Sequence, residues 1–478
     1  MKLKMFKPRN LKQYFVLCLL LPFTVLSQSL KPHGVPEEFV SSYYNVTVNG
    51  INVPVFHAGL NVYFASFDFT GVAEVLVEKT AKGKTPNSSD NEYWGANAVV
   101  RPLSKAIKAT TNSGKVSFAL NQAGQYSVEK PGISNFKDDV LLIFANKPEV
   151  KLPNFKNPNV IRLKPGTHYR NIDLKSGQTL YLDAGAVLFG AINVWNAKNV
   201  TIQGRGTVVY YGPQSEDVDQ GWKNLKNWHP LTTHNVQGLT VKGVTFVGRS
   251  RTWSLQTYTT FDAVFDNIKI IAVNPQNING DGIDWYGGGR TKVVNSFIRS
   301  ADDCFAFFTK DSSKDMWGTS GTTTDEIKDI TIDNCVLWST LANVFRIGFN
   351  GQALSTKNVV MNNCDVIHIS KGQWLAPWSF LCVVSPNKRG KAIHSDYMLE
   401  NITFEEPLAL FGMQNPEVEF KGLTLKNIQM MGEPVPSIVN GKLEVTFQNV
   451  ILNGKKISND GDIPLKAESK IESVKYLP

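Results

Sequence analysis

From Tyr44 to Phe144 the chain runs in short stretches of alternating apolar and polar residues broken by turn formers, with no amphipathic helix among them. The first pair, Tyr44 to Val48 and Ile51 to Phe56, is joined by Asn49-Gly50, the strongest short hairpin signal. Further strands are expected at Val62 to Phe69, Val72 to Glu78, Lys115 to Leu120, Gln125 to Glu129 and Asp139 to Phe144. Together they predict a small N-terminal β-sandwich over residues 38–150.

From about Val160 the pattern changes to a short strand, an Asn or Gly at a turn, and another short strand. Asn199-Val200-Thr201-Ile202-Gln203-Gly204, Asp329-Ile330-Thr331-Ile332-Asp333-Asn334 and Leu443-Glu444-Val445-Thr446-Phe447-Gln448-Asn449 are instances. Asn427 and Asn449 lie 22 residues apart, and other intervals are longer, as coils with loop insertions would give. Stacked coils bury the β-branched and aromatic faces and align turn asparagines, which tolerate left-handed backbone. The fold expected is all-β: a right-handed parallel β-helix over residues 158–455 behind the sandwich, then a polar C-terminal tail, 456–478. A bladed propeller is the alternative.

The first 27 residues differ in kind. Lys2, Lys4, Lys7, Arg9 and Lys12 precede an apolar run from Tyr14 to Leu26, which reads as a secretory signal, 1–27, and directs the chain to the periplasm, cell surface or exterior. Five of the 50 basic residues and none of the 41 acidic ones lie there, so the formal charge of +9 falls to +4 without it. That balance gives no reason to expect nucleic acid as a partner, or stable membrane insertion after signal cleavage. Cys304, Cys335, Cys364 and Cys382 remain; the first three, 31 and 29 residues apart at similar strand ends, suggest a ladder of buried thiols more than disulfides. No zinc-type spacing occurs, and neither metal nor cofactor is expected.

Candidate chemistry gathers between Asn279 and Phe308. Asn279-Gly280-Asp281-Gly282-Ile283-Asp284 is followed by Asp302-Asp303-Cys304, and from Asp281 to Asp302 is 21 residues, about one coil. Carboxylates on adjacent rungs sit close enough to push their pKa values apart, the condition for one to donate a proton while another accepts. Regular alternation sends Asp281 and Asp284 to opposite faces, which makes Asp284 a structural residue. Val344-Phe345-Arg346-Ile347-Gly348-Phe349 adds one permanent cation, Arg346. The segments around them carry Trp222, Trp228, Trp253 and Trp317, side chains suited to stacking on sugar rings or to packing as loop plugs.

Asn279 to Asp284, Asp302-Asp303-Cys304 and Arg346-Ile347 in this order resemble the active-site pattern of glycoside hydrolase family 28, the polygalacturonases, and of the related β-helical family 49 of dextranases and isopullulanase. The resemblance spans roughly Leu180 to Cys364, and a sandwich before the helix is closer to family 49. It implies an inverting hydrolase with Asp302 as general acid, Asp281 and Asp303 activating water, and Arg346 binding substrate. Asn279, Lys310, Trp222, Trp228 and Trp253 are the further candidate substrate contacts. Two departures stand out. Gly348 replaces the lysine of the Arg-Ile-Lys motif, and no His occurs from Phe305 to Asp325, where a Gly-His-Gly segment is expected. Both missing groups serve uronate-bearing chains, so an α-glucan or algal galactan competes with pectin as substrate, and Lys310, Arg249 and Arg251 are the cations available to an acidic sugar. The partner expected is a polysaccharide or oligosaccharide and the protein a monomer. A β-helical lyase and a non-catalytic carbohydrate-binding β-helix are the competing readings.

Overall fold

The structure is a computed structural model that describes residues 29–80, 98–132, 139–212, 226–249, 252–274, 279–308, 326–348, 355–369, 379–383 and 392–478. The signal segment, Trp222, Arg251, Lys310 and Trp317 lie outside these. Among the described residues no helix is long and apolar enough to cross a membrane.

The N-terminal unit is a sandwich of a six-stranded and a five-stranded sheet. Tyr44–Val48 and Ile51–Val53 pair antiparallel across Asn49 and Gly50, both at positive φ, as the mirror-image turn requires. Tyr63, Phe67, Val75, Val77, Leu141 and Ile143 fill the space between the sheets. From Val160–Leu163 onward, 26 strands form one continuous sheet in which nearly every pairing is parallel and joins one coil to the next, the β-helix predicted from the sequence. Its interior is a single apolar column, from Leu180 and Val200 through Ile283 and Trp285 to Phe447.

The turn asparagines behave as expected. Asn449 donates to Asn427, Asn427 to Asn401 and Asn401 to Asn362, at 2.9 Å each, while Asn401, Asn427 and Asn449 all have φ near +50°. Each donated N–H satisfies an acceptor one coil away. The four described cysteines are buried free thiols. Residues 456–478 extend the helix: Ser473–Leu477 pairs in parallel with Lys442–Leu452, and Tyr476 packs against the core. Alternation in Ser-Val-Lys-Tyr-Leu carries that rung, although the segment's overall polarity reads as a tail.

One face of the sandwich lies on the helix. Phe56, Phe64, Leu142 and Phe144 pack with Val209, Val247, Ile271, Phe297 and Trp338. Arg249 donates to the His57 carbonyl at 2.8 Å, which ties it to this interface and away from substrate. At one end His368 is held between Glu129 of the sandwich and Glu406, 2.8 Å from each. Burial alone would lower its pKa, but the two carboxylates outweigh it and raise the imidazole to about 9. A raised pKa stabilises the fold fully below about 6.5 and progressively less as pH rises through about 9. His368→Gln is therefore expected to cost about 3 kcal/mol near pH 6, and urea unfolding should show the gap to wild type closing by pH 10 or so.

Candidate active site

Three turns on successive coils build the site. Gly282 N–H donates to the Asp303 carbonyl at 2.9 Å and Ala301 N–H to the Gly280 carbonyl at 2.8 Å, stacking the first acidic turn on the second. Cys304 and Phe305 N–H donate to the carbonyls of Asn343 and Val344 at 3.0 Å, adding the third. The approach is close enough that a Cβ at residue 282 would lie 2.3 Å from the Cys304 carbonyl oxygen, so only glycine fits there.

Asp281 sits in the turn, because the strand begins only at Ile283. The alternation argument that separated it from Asp284 therefore does not apply. Within Ile283–Val294, Ile283 and Trp285 enter the core and Asp284 and Tyr286 face out, on the side of the acidic turns. The Asp284 carboxylate is the strongest charged influence on Asp281, and its assignment as a structural residue on the far face is corrected accordingly. Both are fully buried, and burial first, then their like-charged neighbours, drive both pKa values well above the carboxylate range.

Asp302 is the partly accessible member, with the others at 0–1 % exposure. Its two oxygens accept from the backbone N–H groups of Asn279, at 3.2 Å, and Asp303, at 3.0 Å. Burial and the Asp303 charge outweigh these hydrogen bonds and Arg346, raising its pKa to about 7. Asn279 thus contributes through its backbone, in a left-handed conformation at φ 51°.

Asp303 is held differently. One oxygen accepts from the Asn343 backbone and side chain at 2.9 and 2.8 Å, and the other from Arg346 Nη1 at 2.9 Å. Arg346 projects outward between core-facing Phe345 and Ile347, with its guanidinium 5.5 Å from the Phe308 ring centre. Gly348 follows at φ 81°, so at the position of the expected lysine the backbone itself favours glycine. One oxygen from each of Asp281, Asp302 and Asp303 lies within 4.8 Å of the others. A divalent cation would meet Arg346 there, already paired with Asp303, and the arrangement suits proton chemistry better than metal binding.

An aromatic column leads to this cluster from the N-terminal coils. Trp195, His234, Tyr258, Tyr286 and Phe308 occupy equivalent positions on successive strands, with Tyr258–Tyr286 and Tyr286–Phe308 stacked at 4.6 and 4.9 Å. Trp253 stands against Phe308 at 5.7 Å and stacks on His229 at 5.6 Å, half-buried, so it forms part of the cleft wall. Trp228 is buried. Asn343 and the column were missed from the sequence. The signal for the column was residues of like type at the same offset in each coil; Asn343, three before Arg346, carried none beyond its place at a strand start.

No family model and no curated protein sequence matches the chain. Among solved structures, Dex49A from Penicillium minioluteum superposes with a TM-score of 0.64 at 14 % identity, over 93 % of this chain and 96 % of that one. A polygalacturonase from Erwinia carotovora ssp. carotovora gives 0.44 at 17 % identity over 67 % and 89 %, and an endo-xylogalacturonan hydrolase from Aspergillus tubingensis 0.46 at 14 % over 66 % and 92 %. The likeness to Dex49A is one of fold, sandwich and β-helix together.

Proposed function

We propose that the chain is an exported glycoside hydrolase that acts as a monomer on a polysaccharide and cleaves an O-glycosidic bond with inversion. The observation that carries this reading is Asp302: a partly accessible carboxyl, raised to about 7, within 4.8 Å of buried Asp303 in its own turn and Asp281 on the neighbouring one. Such a group keeps its proton up to about neutral pH and can give it to a leaving oxygen, while a neighbouring carboxylate takes a proton from water. The fold alone does not decide activity; the site does. That Dex49A shares both units of the architecture supports the hydrolase reading over the lyase and adhesin alternatives, as does the pairing of Arg346 with Asp303, which leaves no unpaired base of the lyase kind at that position.

The oxygen spacing is shorter than the about 6.5–9.5 Å usual between inverting carboxyls and nearer the about 5–5.5 Å of retaining ones. Retention, however, needs an ionised carboxylate free to attack carbon. Asp303 has its oxygens engaged by Asn343 and Arg346, which supports inversion over a direct attack on carbon. On this reading proton NMR of early turnover should show the product anomer opposite to the substrate linkage; the same anomer would refute inversion. Pectins, dextran, other α-glucans and algal galactans, screened for reducing-end release, identify the substrate. Release from none of them overturns the hydrolase reading, and an ultraviolet-absorbing unsaturated product would favour the lyase.

A further inference from the structure

A groove of about 740 Å³ lies away from the acidic turns, where the chain leaves the sandwich for the first coils. Its floor is one corner of the β-helix, running from Thr179 and Thr201 to Asn295 and Asn334. Five coil-to-coil pairings separate Thr179 from Asn334, so at about 4.8 Å per step the floor extends for about 24 Å, room for several sugar units. Strands Lys269–Ala272 and Phe297–Ser300 run from this corner to the acidic turns, partly beneath the sandwich. The groove and the acidic cluster therefore stand at opposite ends of the same strands.

The wall is the connector from Lys147 to Pro153, and it is fastened in place. Arg205 Nη2 donates to the Lys147 carbonyl at 2.8 Å and the Tyr181 hydroxyl to Glu149 Oε2 at 2.9 Å, while Pro148 and Pro153 fix φ on either side of the second anchor. A wall held this way loses little freedom when a ligand arrives. The connector also leaves Val150 and Leu152 exposed beside the groove, apolar surface that suits the C–H faces of sugar rings.

Six charged side chains line the groove, and four of them are cations. Arg205 is engaged by Asp68 at 2.8 Å and Lys242 by Asp266 at 3.0 Å. Lys147 and Lys151 remain, exposed and outside any ion pair among the described residues. On the floor, the half-buried side chains of Thr179, Thr201 and Gln203 make no side-chain hydrogen bond among the described residues, which leaves two hydroxyls and an amide on successive coils for a ligand. The cleft over the acidic turns offers the reverse, since Arg346 there is paired with Asp303 and stands beside Asp281 and Asp302.

We propose that the groove is a second, non-catalytic glycan site for a chain that carries carboxylate or sulfate groups. Lys147 and Lys151 meet the anionic groups, and Thr179, Thr201 and Gln203 meet the hydroxyls. A protein tethered there works at a raised local concentration of the surrounding polysaccharide. The site stands independently of the reaction assigned to the acidic turns.

Affinity electrophoresis of the full chain through gels containing polygalacturonate, a sulfated galactan or dextran tests the proposal, with the Asp302→Asn protein used throughout so that the gel polymer is not consumed. Retardation by one or both acidic polymers is expected, with dextran bound at least about tenfold more weakly, and the polymer that binds tells carboxylate from sulfate. Lys147→Ala combined with Lys151→Ala should weaken binding about tenfold, as two exposed charge pairs would, and added salt should weaken the parent protein in the same way. Gln203→Leu leaves the charge unchanged and should weaken glycan binding about threefold, one hydrogen bond's worth, without altering retention by polyphosphate, an anion that lacks sugar hydroxyls. These side chains are at the surface, and thermal unfolding checks that each variant folds. No retardation by either acidic polymer, dextran bound equally well, or binding undiminished in the double lysine variant or in Gln203→Leu overturns the proposal. A wild-type protein that releases no reducing ends, the outcome that overturns the hydrolase reading, leaves the gel result unaffected.

Discussion

Asp302→Asn is expected to lower turnover by about 10²–10⁴-fold, the usual contribution of a general acid, while the fold stays intact. The amide keeps the shape of the carboxyl, and its oxygen can still accept one of the two backbone N–H groups, from Asn279 and Asp303, that now hold the side chain. What it cannot do is deliver a proton to the leaving oxygen. The wild-type profile should show the same dependence from the other side. With Asp302 at about 7, the required form is the protonated one, so turnover falls as pH rises through that value. Reducing-end assays of both proteins across pH 5–9 or so check this, with circular dichroism to confirm folding. A variant with near-full activity would remove Asp302 from the acid role, and substrates with good leaving groups should be hurt least by the substitution if the role is right.

Much of this arrangement was legible in the sequence because a β-helix writes itself as a repeat. The turn asparagines, the strand period and the interval from Asp281 to Asp302 place two acidic turns on neighbouring coils, and they are hydrogen-bonded directly to each other. What alternation could not supply was the strand boundary. Asp281 and Asp284 look like residues of one strand, but Gly282 is pressed against the Cys304 carbonyl and ends the turn there, so the two aspartates share a site. The ion pair of Arg346 with Asp303 spans 43 positions, and sequence spacing gave only its residue types. Asn343 was invisible for a related reason: its work is to donate to Asp303 and accept from Ser379 N–H at 3.0 Å, contacts made only after three coils have stacked. The final rung, Ser473–Leu477, was hidden under polar composition, since it only half-buries one face, through Val474 and Tyr476.

Arg346→Met should produce the largest loss of stability among single changes at the site, about 3–5 kcal/mol, because it leaves the Asp303 carboxylate buried without its cation. Asp303 is fully buried and Arg346 nearly so, so solvent can do little to replace the lost partner. Methionine nearly preserves the volume and the contact with Phe308, which keeps the loss electrostatic in origin. In a solenoid the damage should centre on the coils that carry the pair, so hydrogen exchange ought to accelerate through residues 300–348 while Leu423 to Leu452 stay protected. The double variant Asp303→Asn with Arg346→Met separates the charge from the packing. If the cost is an unpaired carboxylate, removing it restores most of the lost stability, and the coupling between the two sites should reach about 2 kcal/mol or more. Equal losses in the single and double variants would instead mean that Arg346 matters for its bulk against Phe308. Arg346→Lys should fall between, since an ammonium supplies the charge without the planar fork that lets the guanidinium reach Asp303 through Nη1 and the Gly348 carbonyl through Nε.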